Sequence, residues 1–268
     1  MAIDLAPRIV PPVLLTAKRA PRILERKLMV YRRLWVHLIT GFFEPVFYLL
    51  SIRIGIGKLV GTVNLDGHAV SYAAFVAPAL LAASAMNGAV FDSTFGVFFN
   101  LKYAKTYDAI LATPMAVEDV AVGEIGWALL RGLMYATAFL VVMAVMGLIH
   151  SWWAILALPG ATLIGFAFGA VGMAGTSYMR SWLDFEFVQL SILPLFLFSA
   201  TFYPLSTYPP ALQVLVQCTP LYQGVAIERA LTTGTVGPDI LVHVLYLSVM
   251  GLVGLRIASR RMHVLLQP

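Results

Sequence analysis

Six apolar stretches, each close to the length of a membrane-spanning helix, dominate this 268-residue chain. A helix needs roughly 20 apolar residues to cross the hydrocarbon core of a bilayer. The stretches lie near residues 36–57, 71–95, 121–148, 152–177, 183–203 and 239–258. Charged residues make up 12% of the chain, whereas a soluble domain carries roughly 25%. The sequence therefore predicts an all-α integral membrane protein with six transmembrane helices.

The distribution of polar residues predicts three parts in this chain. Residues 1–35 form a basic cytoplasmic arm, residues 36–258 hold all six spans, and residues 259–268 form a short tail. Within the second part, residues 204–238 are less apolar and are interrupted by prolines. Because no internal repeat is visible, we interpret residues 36–258 as one membrane domain.

Basic residues are distributed unequally between the two sides of the predicted bundle. Six spans place both termini on one side, together with fourteen of the 18 Lys and Arg residues, and leave three on the other side. Loops rich in Lys and Arg remain in the cytoplasm during insertion. We therefore expect a multi-pass protein of the plasma membrane whose termini both face the cytoplasm.

The basic arm has an apolar stripe with helical period. Pro21 can open a helix, and the apolar stripe that follows consists of Leu24, Leu28, Tyr31 and Trp35. Another face carries the basic residues Arg22, Arg26 and Arg33. A basic amphipathic helix of this kind lies in the membrane interface, attracted by anionic lipids. The alternative is an ordinary basic flank that only sets the topology.

Signatures of catalysis are missing from the sequence. Gly57-Lys58 is followed by Leu59 and lacks the upstream glycine of a phosphate-binding loop. No His-Glu-x-x-His or Gly-x-Ser-x-Gly element occurs, the five histidines are scattered, and Cys218 is the only cysteine. We therefore expect no catalytic residues, no metal site and no cofactor on this chain, so an energy source for active transport must come from another protein.

Few ionisable residues fall inside the predicted spans. Glu44 and Arg131 each lie about ten residues from a cytoplasmic span end, which is roughly 15 Å deep. Charges at this depth face the protein interior or a water-filled cavity, so we hypothesise that these two residues form a pair. A structural ion pair, two groups that reach water separately, and a contact with the substrate remain alternatives. Asp92, Asp184 and Glu186 lie near cytoplasmic span ends, where we expect them to be solvated.

Glycines in the fourth span and phenylalanines in the first and fifth stand out. The glycines recur at helical spacing, as Gly165, Gly169, Gly172 and Gly175. Small residues let membrane helices approach closely, so this pattern predicts helix packing. The phenylalanines that would line a path for an apolar substrate are Phe42, Phe47, Phe196, Phe198 and Phe202. Lipid-facing or core positions are the alternative for these rings.

A polar segment between the second and third spans, residues 101–124, is the one internal stretch with enough charge to meet a soluble partner. It contains Tyr-Asp-Ala-Ile-Leu-Ala-Thr-Pro at residues 107–114, followed by Trp-Ala-Leu-Leu-Arg at residues 127–131. A second group of motifs is Phe-Ser-Ala-Thr-Phe-Tyr-Pro-Leu at residues 198–205, Pro209-Pro210 and Thr-Pro-Leu-Tyr at residues 219–222. In order and motifs, the whole chain resembles the type-2 ABC exporter permeases, especially the branch with the nodulation-factor exporter NodJ and the daunorubicin-exporter subunit DrrB.

The resemblance implies roles for particular segments. Residues 102–112 would form the coupling helix that docks in a groove of the ATPase, with Tyr107, Ile110 and Leu111 as apolar contacts and Pro114 as the terminator. The implied coupling residues are Lys105, Thr106, Tyr107, Asp108, Ile110, Leu111, Thr113 and Pro114. The arm would be the connecting helix, and residues 204–238 would form short extracellular re-entrant helices before the last span.

The resemblance also implies the partners. Two copies of a cognate ABC ATPase subunit, which bind ATP and Mg, would work with this permease and a second copy or a sister permease. The substrate would cross between the permeases, along their first, second and fifth spans. We expect ATP-driven export of a hydrophobic or amphipathic substrate, such as a drug or a lipid-linked or glycolipid-like molecule. The alternatives are a stand-alone ion-coupled carrier or channel, and a membrane-embedded enzyme acting on lipids.

Overall fold

The computed structural model describes residues 19–33, 43, 46–65 and 68–266, and these residues form a helical bundle with one small hairpin. The helices before the hairpin are α1 (Ala20–Arg33) and α2 (residues 46–60). Strands β1 (Thr62–Leu65) and β2 (His68–Ser71) follow. The remaining helices are α3 (Tyr72–Lys102), α4 (Thr106–Leu111), α5 (Val117–Val145), α6 (Trp152–Thr176), α7 (Phe185–Leu197), α8 (Pro210–Cys218), α9 (Pro220–Thr233) and α10 (Ile240–Leu266).

Four helices within the described ranges are long and apolar enough to span a membrane, namely α3, α5, α6 and α10. They coincide with the predicted spans near 71–95, 121–148, 152–177 and 239–258. Helix α10 continues to Leu266, so most of the predicted tail is part of this helix. Long apolar segments are recognisable from local sequence because the bilayer sets a minimum length for each of them.

The predicted first and fifth spans are not seen as full spanning helices. Residues 34–42, 44 and 45, which belong to the arm and the first span, lie outside the described residues, and α2 covers the rest of that span with a π-helical turn at Ile52–Ile56. Helix α7 has 13 residues, or about 20 Å, which is shorter than the roughly 30 Å hydrocarbon core. The structure therefore shows no full spanning helix over 183–203 in the described residues, and the fifth span stays a prediction.

A turn at Ala200 ends the fifth segment. Ala200 has a left-handed backbone, with φ of 54°, which an ordinary L-residue adopts at a cost of about 1–2 kcal/mol. Arg229 Nη2 donates a hydrogen bond to the Ala200 carbonyl at 2.8 Å, and the Tyr72 hydroxyl donates to the Phe202 carbonyl at 3.2 Å. These bonds from α9 and α3 hold the chain in the bend.

The structure contains a β-hairpin, which the expected all-α fold does not include. Its strands pair antiparallel, with Thr62 opposite Ser71 and Val63 opposite Val70. β-Branched residues favour strands, and the intervening Asp66-Gly67 is a strong sequence signal for a hairpin turn. This signal was available in the sequence, so the hairpin is a feature that sequence reasoning missed.

Helix α6 lies at the centre of the bundle and packs against α3, α5, α9 and α10. A Cβ added at Gly165 or Gly169 would lie 3.8 or 3.6 Å from the Ala89 Cβ of α3, and Gly172 faces Ser93 closely. A Cβ added at Gly175 would have no atom within 4 Å. The predicted packing role is thus confirmed for three of the four glycines.

Two short helices, α8 and α9, occupy the proline-rich region before α10. The Thr219 hydroxyl accepts a hydrogen bond from the Tyr222 amide at 3.4 Å, and Pro220 takes the first helical position. Pro is tolerated there because its missing N–H would have no helical partner. Helix α9 is largely buried against α3 and α6, so this segment is an integral part of the bundle.

Candidate functional site

The polar segment between α3 and α5 contains a shorter helix than the sequence predicts. Lys105 has a left-handed backbone, with φ of 46°, which interrupts the helix between Lys102 and Thr106. The Thr106 hydroxyl then donates to Asn100 Oδ1 at 3.0 Å and ties α4 back to α3. The expected coupling helix over 102–112 is therefore corrected to Thr106–Leu111.

Tyr107 is wholly buried, and this overturns its expected place in an exposed apolar contact. Its ring packs in a cluster with Ile23 of α1 and Val117 and Val120 of α5. Burial, together with the nearby Glu124 carboxylate, raises the pKa of the Tyr107 hydroxyl well above its usual value, so the group stays neutral. Tyr107 therefore anchors α4 to the bundle.

The rest of α4 and its flanks present a surface of mixed polar and apolar character. Ile110 and Leu111 are half-buried against the cluster around Tyr107, and Thr106 is half-buried too. The exposed members of the predicted set are Lys105, Asp108, Thr113 and Pro114. We call these four residues the coupling surface. A protein that meets α4 would therefore have two charges, of Lys105 and Asp108, and the Thr113 hydroxyl within reach.

Helix α1 packs lengthwise on the first half of α5. Ile23 fits against Gly123, where an added Cβ would lie 2.7 Å from the Ile23 Cβ. Lys27 and Glu124 form an ion pair whose side chains are only 13% and 2% exposed. Next along α1, the rings of Tyr31 and Trp127 lie 4.7 Å apart. The face turned to α5 thus carries Ile23, Lys27 and Tyr31.

The outward face of α1 ends in a group of exposed apolar side chains, Leu28, Met29 and Val30. Leu28 belongs to the stripe that the sequence predicts for a membrane interface, whereas Trp35 of that stripe lies outside the described residues. The placement of α1 in an interface stays a prediction, and these three side chains are what would enter the lipid.

A cavity of about 850 Å³ lies between α1, α2, α3, α5 and α7. Its polar lining includes Arg131 of α5, Asn87 of α3 and Gln189 of α7, while Leu80 and Ile192 are among its apolar residues. Pockets of this size hold small-molecule ligands in many proteins. The cavity is therefore the candidate binding site of the chain.

Arg131 pairs with Asp92 at one side of this cavity, with 2.8 Å between Arg131 Nη2 and Asp92 Oδ1. Asp92 is 8% exposed, so the expectation that it is solvated is wrong. Asp184 is half-buried and Glu186 is exposed. Glu44, the hypothesised partner of Arg131, lies outside the described residues, so that pairing stays a prediction.

Asp184 caps the turn that precedes α7. Its Oδ2 accepts hydrogen bonds from the Ser181 and Arg180 backbone amides, at 3.0 and 2.7 Å. These bonds stabilise the carboxylate and lower the pKa of Asp184 below its usual value. The cap therefore fixes the end of α7 from which Gln189 reaches the cavity.

The sequence profile of the ABC-2 type transporter family matches residues 22–231. The chain belongs to this family. The match covers α1 through most of α9, and so includes the coupling surface and every helix that lines the cavity. It confirms the family that the motifs suggested.

Individual ABC-2 relatives align over most of their length. Nodulation protein J of Rhizobium leguminosarum bv. viciae is 33% identical over 225 residues, 82% of this chain and 85% of that protein. Nodulation protein J of Azorhizobium caulinodans is 28% identical over 246 residues, 90% of this chain and 95% of that protein. The inner membrane transport permease YadH of Escherichia coli is 25% identical over 194 residues, 71% and 73% of the two chains. This chain is accordingly a multi-pass transport permease of a cell membrane.

The phenylalanines expected to line a path in this ABC-2 permease take different positions. Phe196 lines the cavity, and its ring lies 5.2 Å from that of Phe202. Phe47 and Phe198 are exposed, at 62% and 45%. Phe42 lies outside the described residues. The structure thus brings Phe196 to the cavity, and the substrate-path role of all five residues stays a prediction.

Proposed function

We propose that this chain is the transmembrane subunit of an ATP-driven exporter, which moves a hydrophobic or amphipathic substrate out of the cytoplasm or the inner leaflet. The observation that carries the proposal is the attachment of α4 to the bundle. The exposed coupling surface lies on α4 and its flanks, Tyr107 anchors this helix to α5, and α5 also lines the cavity. A push on α4 from a soluble partner would therefore move a wall of the binding site.

The proposed partner is a separate ABC ATPase, which binds ATP and Mg and docks on the coupling surface in two copies per complex. Nucleotide-driven movement can shift a permease between two states only if the partner binds those states with different affinity. In this proposal the permease has two conformations of its helices, and the ATPase hydrolyses the ATP. The topology that fits this arrangement has six spans and both termini in the cytoplasm, with α8 and α9 at the outer side.

The second permease copy, or a sister permease, would face α7. Phe187, Leu190 and Leu193 on this helix are 69%, 69% and 60% exposed, and α7 also lines the cavity. A partner that covers this apolar face would close the open side of the bundle and place two cavities next to each other. This arrangement supports a substrate path between the two permeases.

The test is purification of the chain from its native membrane in mild detergent, followed by mass spectrometry of the proteins that come with it. Stoichiometric recovery of an ABC ATPase supports the exporter. A second permease sequence in the eluate would identify a heterodimer. Reproducible recovery of the intact chain alone would contradict the proposal and favour a self-sufficient carrier or channel.

Exchanging the charges of the coupling surface should release the ATPase. In the double variant Lys105→Glu/Asp108→Lys, we expect recovery of the ATPase to fall by at least about tenfold, because like charges placed across an interface cost several kcal/mol. Net charge is unchanged and both side chains are exposed, so the fold should persist. The measurement is the ATPase-to-permease ratio in the eluate.

A matched control is the exchange Arg180→Glu/Glu186→Arg, which alters two exposed charges outside the coupling surface. This variant should retain the ATPase. Undiminished recovery in both double variants would show that the ATPase does not dock on the coupling surface.

A further inference from the structure

One face of α10 carries exposed apolar side chains over most of its length and exposed arginines near its end. Steps of three or four residues connect the members of this face, which are Val242, Leu245, Val249, Val253, Arg256 and Arg260. Residues at this spacing lie on one side of an α-helix. All of them are exposed, and for Val249 and Val253 the exposed fractions are 51% and 52%. We call these residues the outer face of α10.

The two arginines of the outer face lie where α10 leaves the membrane. Measured from Ile240, the first residue of the helix, Arg256 and Arg260 lie about 24 and 30 Å along the helix axis. The hydrocarbon core is roughly 30 Å thick, so Arg260 reaches its boundary and Arg256 lies about one turn inside. Long basic side chains at such positions extend to the headgroup region. Lipid phosphates are therefore within reach of both guanidinium groups.

No carboxylate balances these two arginines among the described residues. Residues 240–266 contain neither Asp nor Glu, and the ion pairs within the described ranges do not include either arginine. The carboxylate of Glu118 does reach α10, but it pairs with His263. A third positive charge lies beside them, because the Arg261 guanidinium stacks on Tyr178 at 4.2 Å from the ring centroid. This end of α10 therefore attracts anions.

The outer face combines a phosphate-binding geometry with an apolar track. Residues four apart on a helix have Cβ atoms about 5–6 Å from each other, so the guanidinium groups of Arg256 and Arg260 can contact one phosphate together. Arginine forms charge-assisted and often bidentate hydrogen bonds with phosphate. From the arginines, Val253 and Val249 continue along the same face towards the middle of the membrane. A free phosphate would make no use of this track, whereas an acyl chain would cover it.

We infer that the end of α10 binds an anionic phospholipid of the surrounding bilayer. Its phosphate lies between Arg256 and Arg260, and an acyl chain lies along Val253 and Val249. This lipid site is on the outside of the bundle and is separate from the cavity. Its occupation requires neither the transported substrate nor the ATPase.

The opposite face of the same turns of α10 packs inside the bundle. Leu255, Ala258 and Met262 are buried in the cluster that contains Tyr107, the residue that anchors α4. A lipid held on the outer face therefore lies behind the turns of α10 that support the coupling surface. The bound headgroup would stabilise this end of α10 in its packed position.

The experiment uses the full chain in nanodiscs that contain phosphatidylglycerol and phosphatidylcholine in equal amounts and with identical acyl chains. Native mass spectrometry then counts the lipids of each kind that the protein retains. A basic residue near an anionic membrane surface contributes about fivefold in affinity. With two such residues, we expect phosphatidylglycerol to be retained at least about tenfold more than phosphatidylcholine.

Removal of the two charges should abolish this preference. In Arg256→Gln/Arg260→Gln, we expect the two lipids to be retained about equally, whereas Arg256→Lys/Arg260→Lys keeps the charges and should keep the preference. The matched control is Lys102→Gln/Arg180→Gln, which removes two exposed positive charges outside the outer face and should leave the preference unaltered. All of these substitutions are at exposed positions, and the circular dichroism spectrum checks that each variant keeps its helices.

A competition experiment separates a lipid site from a site for free anions. Excess inorganic phosphate, added at constant ionic strength, should not displace phosphatidylglycerol from the wild-type chain. Displacement would show that the arginines bind a free anion and would overturn the inference. Equal retention of the two lipids by the wild-type chain, or an undiminished preference in the glutamine variant, would also overturn it. Loss of the preference in the control variant would mean that overall positive charge, and not the outer face of α10, attracts the lipid.

Discussion

Replacing Glu124 with alanine should lower the free energy of unfolding by about 3–5 kcal/mol, the range found when one member of a buried ion pair is removed. Glu124 is 2% exposed and pairs with Lys27, which is 13% exposed. Without the carboxylate, the Lys27 ammonium is held between α1 and α5 with no counter-charge. Either α1 separates from α5 or the charge stays buried, and both are costly.

The measurement is equilibrium unfolding in mixed micelles, followed by circular dichroism. The matched control is Glu25→Ala, which breaks the ion pair between Arg22 and Glu25 on the same helix. This pair is 3.0 Å long, but its side chains are 75% and 58% exposed, so the loss should be less than about 1 kcal/mol. Equal losses in the two variants would contradict the importance of the buried pair.

An apolar double variant distinguishes an uncompensated charge from simple loss of packing. In Lys27→Met/Glu124→Leu, both charges are removed and the volume between the helices is roughly kept. Buried ion pairs can often be replaced in this way with little change or even a gain in stability. We therefore expect most of the stability lost in Glu124→Ala to return. A double variant as unstable as the single one would indicate that packing around Glu124 dominates.

The spans that the sequence predicts well are those whose evidence is local. Helices α3, α5, α6 and α10 are long, continuous and apolar, so composition within a single segment identifies them. Helix α7 begins where expected, but it ends early because Arg229, 29 residues away from Ala200, holds the bend. The sequence of residues 183–203 alone does not indicate that contact.

In the candidate site, too, some features follow from the local sequence and others depend on contacts between distant residues. The sequence indicates that α4 has an apolar face with Tyr107, Ile110 and Leu111, but not which surface covers this face. In the fold, α1 and α5 cover much of it, so the exposed coupling surface consists of Lys105, Asp108, Thr113 and Pro114. Likewise, the pairing of Asp92 with Arg131 depends on how α3 and α5 are rotated against each other, and two residues 39 positions apart carry no local signal of that rotation.

Replacing Gly254 with valine should disrupt the contact between α6 and α10. A Cβ at Gly254 would lie 2.8 Å from the Val171 backbone nitrogen and 2.9 Å from the Ala170 carbonyl carbon. Favourable contacts between heavy atoms need about 3.5–4.0 Å. Because the opposing atoms belong to a helix backbone, no side-chain rotation can relieve the overlap.

The helices must therefore separate, and the packing of Leu255 and Ala258 in the core of the bundle is lost with them. Overpacking of this kind costs about 1–3 kcal/mol and sometimes more, and we expect the upper part of that range because backbone atoms are involved. Gly175→Val is the control, since a Cβ there meets no atom within 4 Å. That change should be neutral or slightly stabilising, because Gly is a poor helix former. The measurement is the free energy of unfolding of the two variants. If Gly254→Val is as stable as Gly175→Val, then α10 does not pack on α6 at the distance described. The core of this permease would then be less tightly packed than its glycines indicate.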